Sequence, residues 1–276
     1  MMKNEDVLAM ISKIFTDSAD NIIHLPEEDC DVPILEEPLI GFASADDPLF
    51  DELKRNPEAI GEGFMPPREW LENARSVIVF FFPYTEDIRR RLADSETVIA
   101  ESWKYGYVPG SRLAKKVAVI LKEQLEAAGM AVADPLNDPR FARSSVPAVT
   151  DGEEDVHYIV SWSTRHAAFV AGLGTFGMHR HFITERGSCG SLATLITDHE
   201  FTPTKRDYTD IYEYCIHCGQ CARNCPAKAI DPNGLRSLKK CSAFGGYLRE
   251  KYGGGGCGRC FVGVPCEHRN PSRRTQ

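Results

Sequence analysis

The sequence predicts an α+β protein in two parts: a helix-covered sheet over residues 1–200, then a ferredoxin-like domain over residues 201–276. Three observations carry this expectation. Strand-like apolar runs alternate with helical patterns through the first part, as in a mixed or parallel sheet packed under helices. One run, "SVIVFFFPY" at Ser76 to Tyr84, is apolar without interruption and breaks at proline, the pattern of a central strand buried on both faces. Eight of the ten cysteines fall after residue 214, four of them inside "YCIHCGQCARNCPAKAI". At 276 residues the chain is long enough for one large core, with or without an appended domain.

Each element follows from local pattern. "NEDVLAMISKIF" has helical apolar spacing and an acidic first turn. The acidic stretch from Pro26 to Pro66, punctuated by proline, reads as loops and short pieces packed on the surface. After the central strand, "GSRLAKKVAVILKEQLEAAG" is an amphipathic helix, with Ser111 placed to cap it and Gly129 to end it. "MAVADP" reads as a strand, "TRHAAFVAG" as a short helix and "SLATLIT" as another strand. The tract Gly253 to Gly256 is either a tight approach to Cys257, packed close to a bound group, or a plain linker.

Composition narrows the function classes. There is no apolar run of about 18 residues, and the start "MMKNEDVLAM" has neither a basic region nor twin arginines. A cytoplasmic protein without a membrane partner is expected, and a reducing compartment suits cysteines kept for metal. Residues 1–64 carry a formal charge of −12 and residues 201–276 carry +7, within a whole-chain charge of −8. The basic tail suits compensation of anionic metal-thiolate groups better than a nucleic-acid surface, which needs a domain basic overall.

Cys215, Cys218, Cys221 and Cys225, followed by Pro226, match the bacterial ferredoxin run C-x2-C-x2-C-x3-C-P that binds a 4Fe-4S cube. Zinc sites usually pair two C-x2-C knuckles across a longer loop, which this run lacks. In two-cluster ferredoxins the fourth cysteine serves the other cluster, so Cys225 calls for further thiols downstream. Cys241, Cys257, Cys260 and Cys266 supply them. Two 4Fe-4S clusters are therefore expected: one on Cys215, Cys218, Cys221 and Cys266, the other on Cys225, Cys241, Cys257 and Cys260. A regular second motif would place three residues before its last cysteine, whereas five separate Cys260 from Cys266 and Pro265 precedes it. A single cluster beside a zinc site or loose cysteines is the alternative. Cys30 and Cys189 stay unassigned.

"GLGTFG", Gly172 to Gly177, formally matches the dinucleotide fingerprint G-x-G-x-x-G. That motif needs a strand before it and a helix after it, and here a helical pattern precedes. Its glycines instead suit a sharp turn and a close approach to a large flat ligand.

The segments "RHAAFVAGLGTFGMHRHFIT" and "GSCGSLATLIT", with the double cluster motif after them, resemble the "ER-x-L-A-x-x-A-G-L-G-W-x-G-K-x" and "G-S-x-x-x-L" segments of epoxyqueuosine reductases. More distantly they resemble the reductive dehalogenases, and "ARSVIVFFFPY" is similar to the early "ARSVI" strand of both. The resemblance runs from about Gly41 to Cys266. It implies a nitroreductase-like core holding a base-off cobalamin, which two clusters supply with electrons. The implied contacts to that cofactor are Gly172, Gly174, Thr175, Phe176, Gly177 and His179. No D-x-H-x-x-G box offers a lower cobalt ligand.

Departures from the family are specific. Where epoxyqueuosine reductases carry a catalytic Asp, fourteen residues before the first glycine, this chain has Tyr158, with Asp155 nearby. Their Glu-Arg pair becomes Thr164-Arg165, and the helical-repeat extension that helps bind tRNA is not seen, so tRNA is not expected as a partner. A phenol, with pKa near 10, stays protonated at pH 7 and can donate to a developing carbanion. Tyr158 as proton donor and Arg165 as charge stabiliser are the expected catalytic pair; a core tyrosine with a satisfied hydroxyl is the other reading. His157, His166 and His181 flank the glycines, and Trp103, Tyr105 and Tyr107 form an aromatic group that could wall a flat ligand or pack in the core.

The expected function is therefore an iron-sulfur oxidoreductase passing electrons through two clusters to cobalamin, as a reductase or corrinoid-reducing protein. A ferredoxin or flavoprotein would supply the electrons and a corrinoid or small molecule would receive them. A two-cluster electron carrier without corrinoid is the first alternative and an epoxyqueuosine reductase-like tRNA-modification enzyme the second. Dehalogenation, which usually accompanies an export signal, is a third.

Overall fold

The computed structural model describes residues 2–25, 28–94, 101–150, 152–232, 236–253 and 256–273, with the side chains of 101–105 excepted. In chain order the elements begin α1 (Asn4–Thr16), β1 (Ile22–Leu25), β2 (Cys30–Pro33), β3 (Leu39–Ser44), α2 (Pro48–Arg55), α3 (Pro67–Trp70) and β4 (Ser76–Pro83). There follow α4 (Glu86–Asp94), α5 (Glu101–Ala127), β5 (Val132–Ala133), the hairpin β6 (Arg143–Thr150) and β7 (Glu153–Val160), and α6 (Thr164–Val170). The chain closes with β8 (Gly174–Phe176), β9 (Phe182–Thr184), β10 (Gly190–Thr197), α7 (Gln220–Arg223) and α8 (Leu238–Tyr252).

The main sheet has the order β3-β4-β10-β5. The α+β class holds, but the main sheet is neither mixed nor parallel: β3 with β4, β4 with β10 and β10 with β5 are all antiparallel. The uninterrupted apolar run in β4 arises because both sheet faces are covered. Ile78, Phe80 and Phe82 join the α1 and α5 side chains Val7, Ile11, Val117 and Leu121. On the other face Val77 and Val79 join Phe50, Phe64, Trp162 and Val170. A doubly covered antiparallel strand needs the same apolar run as a parallel one.

Two other expectations are corrected. The acidic stretch 26–66 is not surface decoration: it supplies sheet strand β3, and Phe42, Phe50, Ile60 and Phe64 are all buried. Most of its described acids are exposed, and in the sequence they mask that apolar pattern. Helix α5 begins at Glu101, so Ser111 lies inside it and caps nothing, while Pro109 is accommodated within the helix. Gly110 explains the close fit there, because a Cβ would stand 2.8 Å from the Tyr84 ring. Gly129 ends the helix with φ +88°, as expected.

Helix α8 is fastened to the hairpin through Asp155. Its buried carboxylate accepts from the Lys239 N–H at 2.7 Å, the Leu238 N–H at 3.3 Å and the Ser237 hydroxyl at 3.2 Å, so β7 caps the first turn of α8. Among the described residues no helix is long and apolar enough to cross a membrane.

Candidate redox site

The cysteine run folds as a tight loop leading into α7. Cys215 N–H donates to the Tyr212 carbonyl at 2.7 Å, and His217 and Gly219 take positive φ, 49° and 69°, to turn the chain between thiols. Cys215, Cys218, Cys221 and Cys266 line one small pocket with Met178, His179 and Ile183. Burial, followed by the fields of the other three thiols, pushes Cys266 up to about 12. Cys221 is pushed up to about 11 by burial and by Cys215 and Cys218. Cys225, Cys241, Cys257 and Cys260 form the second group: burial raises Cys257 and Cys260, and Cys241 and Cys225 add to both shifts.

The eight thiols thus fall into two fours, with Cys221, Cys225 and Cys260 buried and Cys218 exposed, and burial raises Cys221 and Cys266 in the first four and Cys257 and Cys260 in the second. Such quartets suit a polynuclear cationic centre that compensates four thiolates, and the residues fit iron-sulfur cubes in that sense. Among the described residues no three Cys, His, Asp or Glu side chains sit close enough to hold a single metal ion. Amide-to-sulfur bonding, a known control on cluster potential, is present at Cys225, whose Sγ accepts from Ala229 N–H at 3.3 Å. The two remaining cysteines belong to neither four: Cys189 is buried beside Glu267, and Cys30 lies on β2.

His179 lies with the first four. Its Nδ1 accepts from the His181 N–H at 3.0 Å, which leaves the proton on Nε2, 3.4 Å from the Cys266 sulfur. Burial, with Arg236 and Arg165 adding to it, lowers His179 to about 3, so the ring is a neutral donor to that sulfur.

Beside the thiols opens a cleft of about 410 Å³, walled by Arg143, Tyr158, Arg165, Phe176, Arg180 and Tyr212 among others. The Arg143 guanidinium lies 4.2 Å over the Tyr158 ring, and the Tyr158 hydroxyl bonds Ser242 Oγ on α8. Arg165 donates to the Arg180 carbonyl at 3.3 Å; enclosing protein, then the Arg236 cation, lowers its pKa. His166, also lining the cleft, bonds Ser163 Oγ at 2.8 Å and packs on Phe176. Burial, then Arg165, lowers it to about 4. His157 lines the cleft too, near the Ile60 carbonyl. Neighbours of both thiol groups line this wall: Tyr212, whose carbonyl accepts from Cys215 N–H, and Leu238, one helical turn before Cys241.

Of the residues expected around a flat cofactor, Phe176 is the one that lines the cleft. Gly172 (φ +77°) and Gly174 (φ +148°) face other chain segments: a Cβ on Gly174 would meet the Ile183 carbonyl oxygen at 2.0 Å, and one on Gly172 the Lys205 carbonyl at 3.1 Å. Gly177 is held against the His179 ring, and buried Thr175 accepts from the Tyr214 N–H at 2.9 Å. The glycine motif therefore serves chain-on-chain packing. Asp155, the acid nearest Tyr158 in sequence, is committed to capping α8. Tyr107 stacks on Tyr84, while Trp103 and Tyr105 lie outside the described side chains. Arg143, Arg180, Tyr212, Arg236 and Ser242 were not anticipated, because no local motif marks them; the hairpin and α8 that bring them together depend on long-range packing.

A family model described as a 4Fe-4S binding domain matches residues 208–231. No curated protein sequence matches the chain. Among solved structures, epoxyqueuosine reductase from Streptococcus thermophilus is similar with a TM-score of 0.50 and 21% identity, over 84% of this chain and 64% of that one. A reductive dehalogenase whose structure bears on B12-dependent dehalogenation is similar at TM-score 0.55 and 15% identity, over 84% of this chain and 30% of that one. The catabolic reductive dehalogenase NpRdhA, solved with 3-bromo-4-hydroxybenzoic acid, gives TM-score 0.55 and 12% identity over 96% of this chain and 36% of that one. The chain thus shares their fold while spanning under two thirds of their lengths.

Proposed function

We propose that this chain is an iron-sulfur oxidoreductase that collects electrons at two 4Fe-4S clusters and delivers them to a cobalamin seated at the cleft. The observation that carries the reading is a ligand-sized cleft whose wall includes Tyr212, bonded through its carbonyl to Cys215 N–H, and Leu238, which starts the helix that carries Cys241. An electron carrier alone has no need of such a cleft. Clusters bound by the two cysteine fours would each store one electron, received from a ferredoxin or flavoprotein. Cobalamin, when bound, supplies a strong two-electron nucleophile for reductive cleavage.

The chain's own residues have definable tasks. Tyr158 presents its phenolic hydroxyl at the cleft as the proton donor, with Ser242 fixing its Oη and Arg143 stacked over its ring. Arg165 and Arg180, with Arg143, make the wall cationic and favour ligands bearing carboxylate or phosphate. Phe176 offers an apolar face. The hydroxyl of Tyr212 lies near Arg180, and burial raises its pKa, so it stays a neutral donor at the rim.

A second reading is favoured by cleft size. About 410 Å³ lies in the roughly 300–1,000 Å³ range of small-molecule sites. A whole corrinoid with its arms is larger, so the cleft would seat part of it, or instead a small acceptor reduced by the clusters directly. The test is an absorption spectrum of anaerobically reconstituted protein after incubation with hydroxocobalamin under reducing conditions and removal of free corrinoid. Base-off corrinoid retained near one per chain supports the first reading. Cluster absorbance with all corrinoid washed away overturns it and leaves the second.

A further inference from the structure

The side chain of Arg236 spans the two thiol groups. One guanidinium nitrogen, Nη2, donates to the Cys241 sulfur of the second group at 2.6 Å. The other, Nη1, donates to the His179 carbonyl at 2.8 Å and to His181 Nε2 at 3.1 Å. His179 in turn faces the Cys266 sulfur of the first group at 3.4 Å. Among the described residues the contacts of Arg236 go to sulfur, imidazole and carbonyl, with none to a carboxylate, so its charge is left for the thiolates to balance.

Among the described residues no guanidinium donates to a sulfur of the first group. Its sulfur Cys266 has His179 and the Ser188 hydroxyl, 3.9 Å away, both neutral. The nearby cation, Arg223, is exposed and donates to the Cys218 carbonyl at 3.0 Å instead of to sulfur. A guanidinium is always charged and weakly hydrated, which suits it to such a partly buried post.

The geometry points to Arg236 as the residue that makes the second cluster the more easily reduced of the two, so that the first electron taken up resides there. The inference rests on the two-cluster reading. Reduction adds one electron to a cube that four thiolates already make anionic. A fixed positive charge on one of its sulfurs lowers the energy of the reduced form more than that of the oxidised form, and the N–H···S bond acts in the same sense. The electron comes from a low-potential one-electron donor, and no proton needs to move. The bond to the His179 carbonyl fixes the guanidinium between the two sites.

The experiment is an anaerobic redox titration followed by electron paramagnetic resonance on reconstituted full chain, with iron counted in each sample, for wild type, Arg236→Gln and Arg236→Lys. Wild type should show two unequal midpoints. Arg236→Gln should lower the higher of them by a tenfold loss in the reduction equilibrium, about 59 mV for one electron, and leave the lower one in place. Arg236→Lys, which keeps the charge and loses the fork, should fall between. With eight irons retained, unmoved midpoints, or two that move equally, would overturn the role given to Arg236. If Arg236→Gln loses iron, the lysine variant decides: an unchanged higher midpoint there overturns it too. Four irons in the wild-type chain would overturn the two-cluster reading itself, and this inference with it.

Discussion

The Asp155 carboxylate accepts the Lys239 backbone N–H at 2.7 Å, tying strand β7 to the helix that carries Cys241. Although burial opposes ionisation, donors from Lys239, Val156, Thr150 and Ser237 together hold Asp155 below the usual carboxylate range. A depressed folded-state pKa contributes stability above the unfolded value, near 3.9, and that stability is lost as pH falls through the lower folded value. Asp155→Ala should cost about 1–2 kcal/mol at pH 7 by loss of the cap. In urea melts, the gap between wild type and variant should shrink toward pH 3; a gap independent of pH would contradict the assignment.

Tyr158→Phe removes the proposed proton donor while keeping the ring under Arg143. Turnover with a reducible acceptor should fall by about 10²- to 10⁴-fold, the usual worth of a general acid, with iron content unchanged. Ser242→Ala, which frees the phenol without deleting it, should cost less. Equal losses in both variants would point to a structural role for the pair.

Crossing of ligands between motifs makes a separate prediction. Cys221→Ala and Cys225→Ala alter neighbouring cysteines of one run, yet each belongs to a different four. Each variant should lose a different cluster, seen as loss of a different paramagnetic signal after reduction. Loss of the same signal from both would refute the grouping.

Gly174 sits at φ +148° with the Ile183 carbonyl where a Cβ would be. Gly174→Ala should destabilise the chain by about 2–4 kcal/mol through strain and overpacking, measured by thermal or urea unfolding of the metal-free protein. An unchanged midpoint would mean that β8 and β9 separate at little cost.

Where the code was local, the sequence could be read. The helix at Asn4–Thr16, the doubly buried β4 and the stop at Gly129 follow from periodicity and from one residue's φ. The first cysteine run could be read because its spacing is that of a ferredoxin motif, and a 4Fe-4S binding domain matches residues 208–231. Hairpin β6–β7 escaped notice because one of its strands is mostly exposed and carries Pro147, a composition that reads as loop. Helix α8 has only Leu248 fully buried and two internal glycines, Gly245 and Gly246, so its pattern is weak; its N-terminus is capped by Ser237 and also by Asp155, which lies far earlier in the chain. The cleft inherits that invisibility, since Arg143 and Ser242 meet Tyr158 only once hairpin and helix dock.

The most direct measurement is the iron and acid-labile sulfide content of the anaerobically reconstituted chain, paired with its paramagnetic resonance spectrum after reduction. Two thiol groups beside one cleft predict eight irons and eight sulfides per chain, with two magnetically interacting signals. Four irons and one isolated signal would contradict the account.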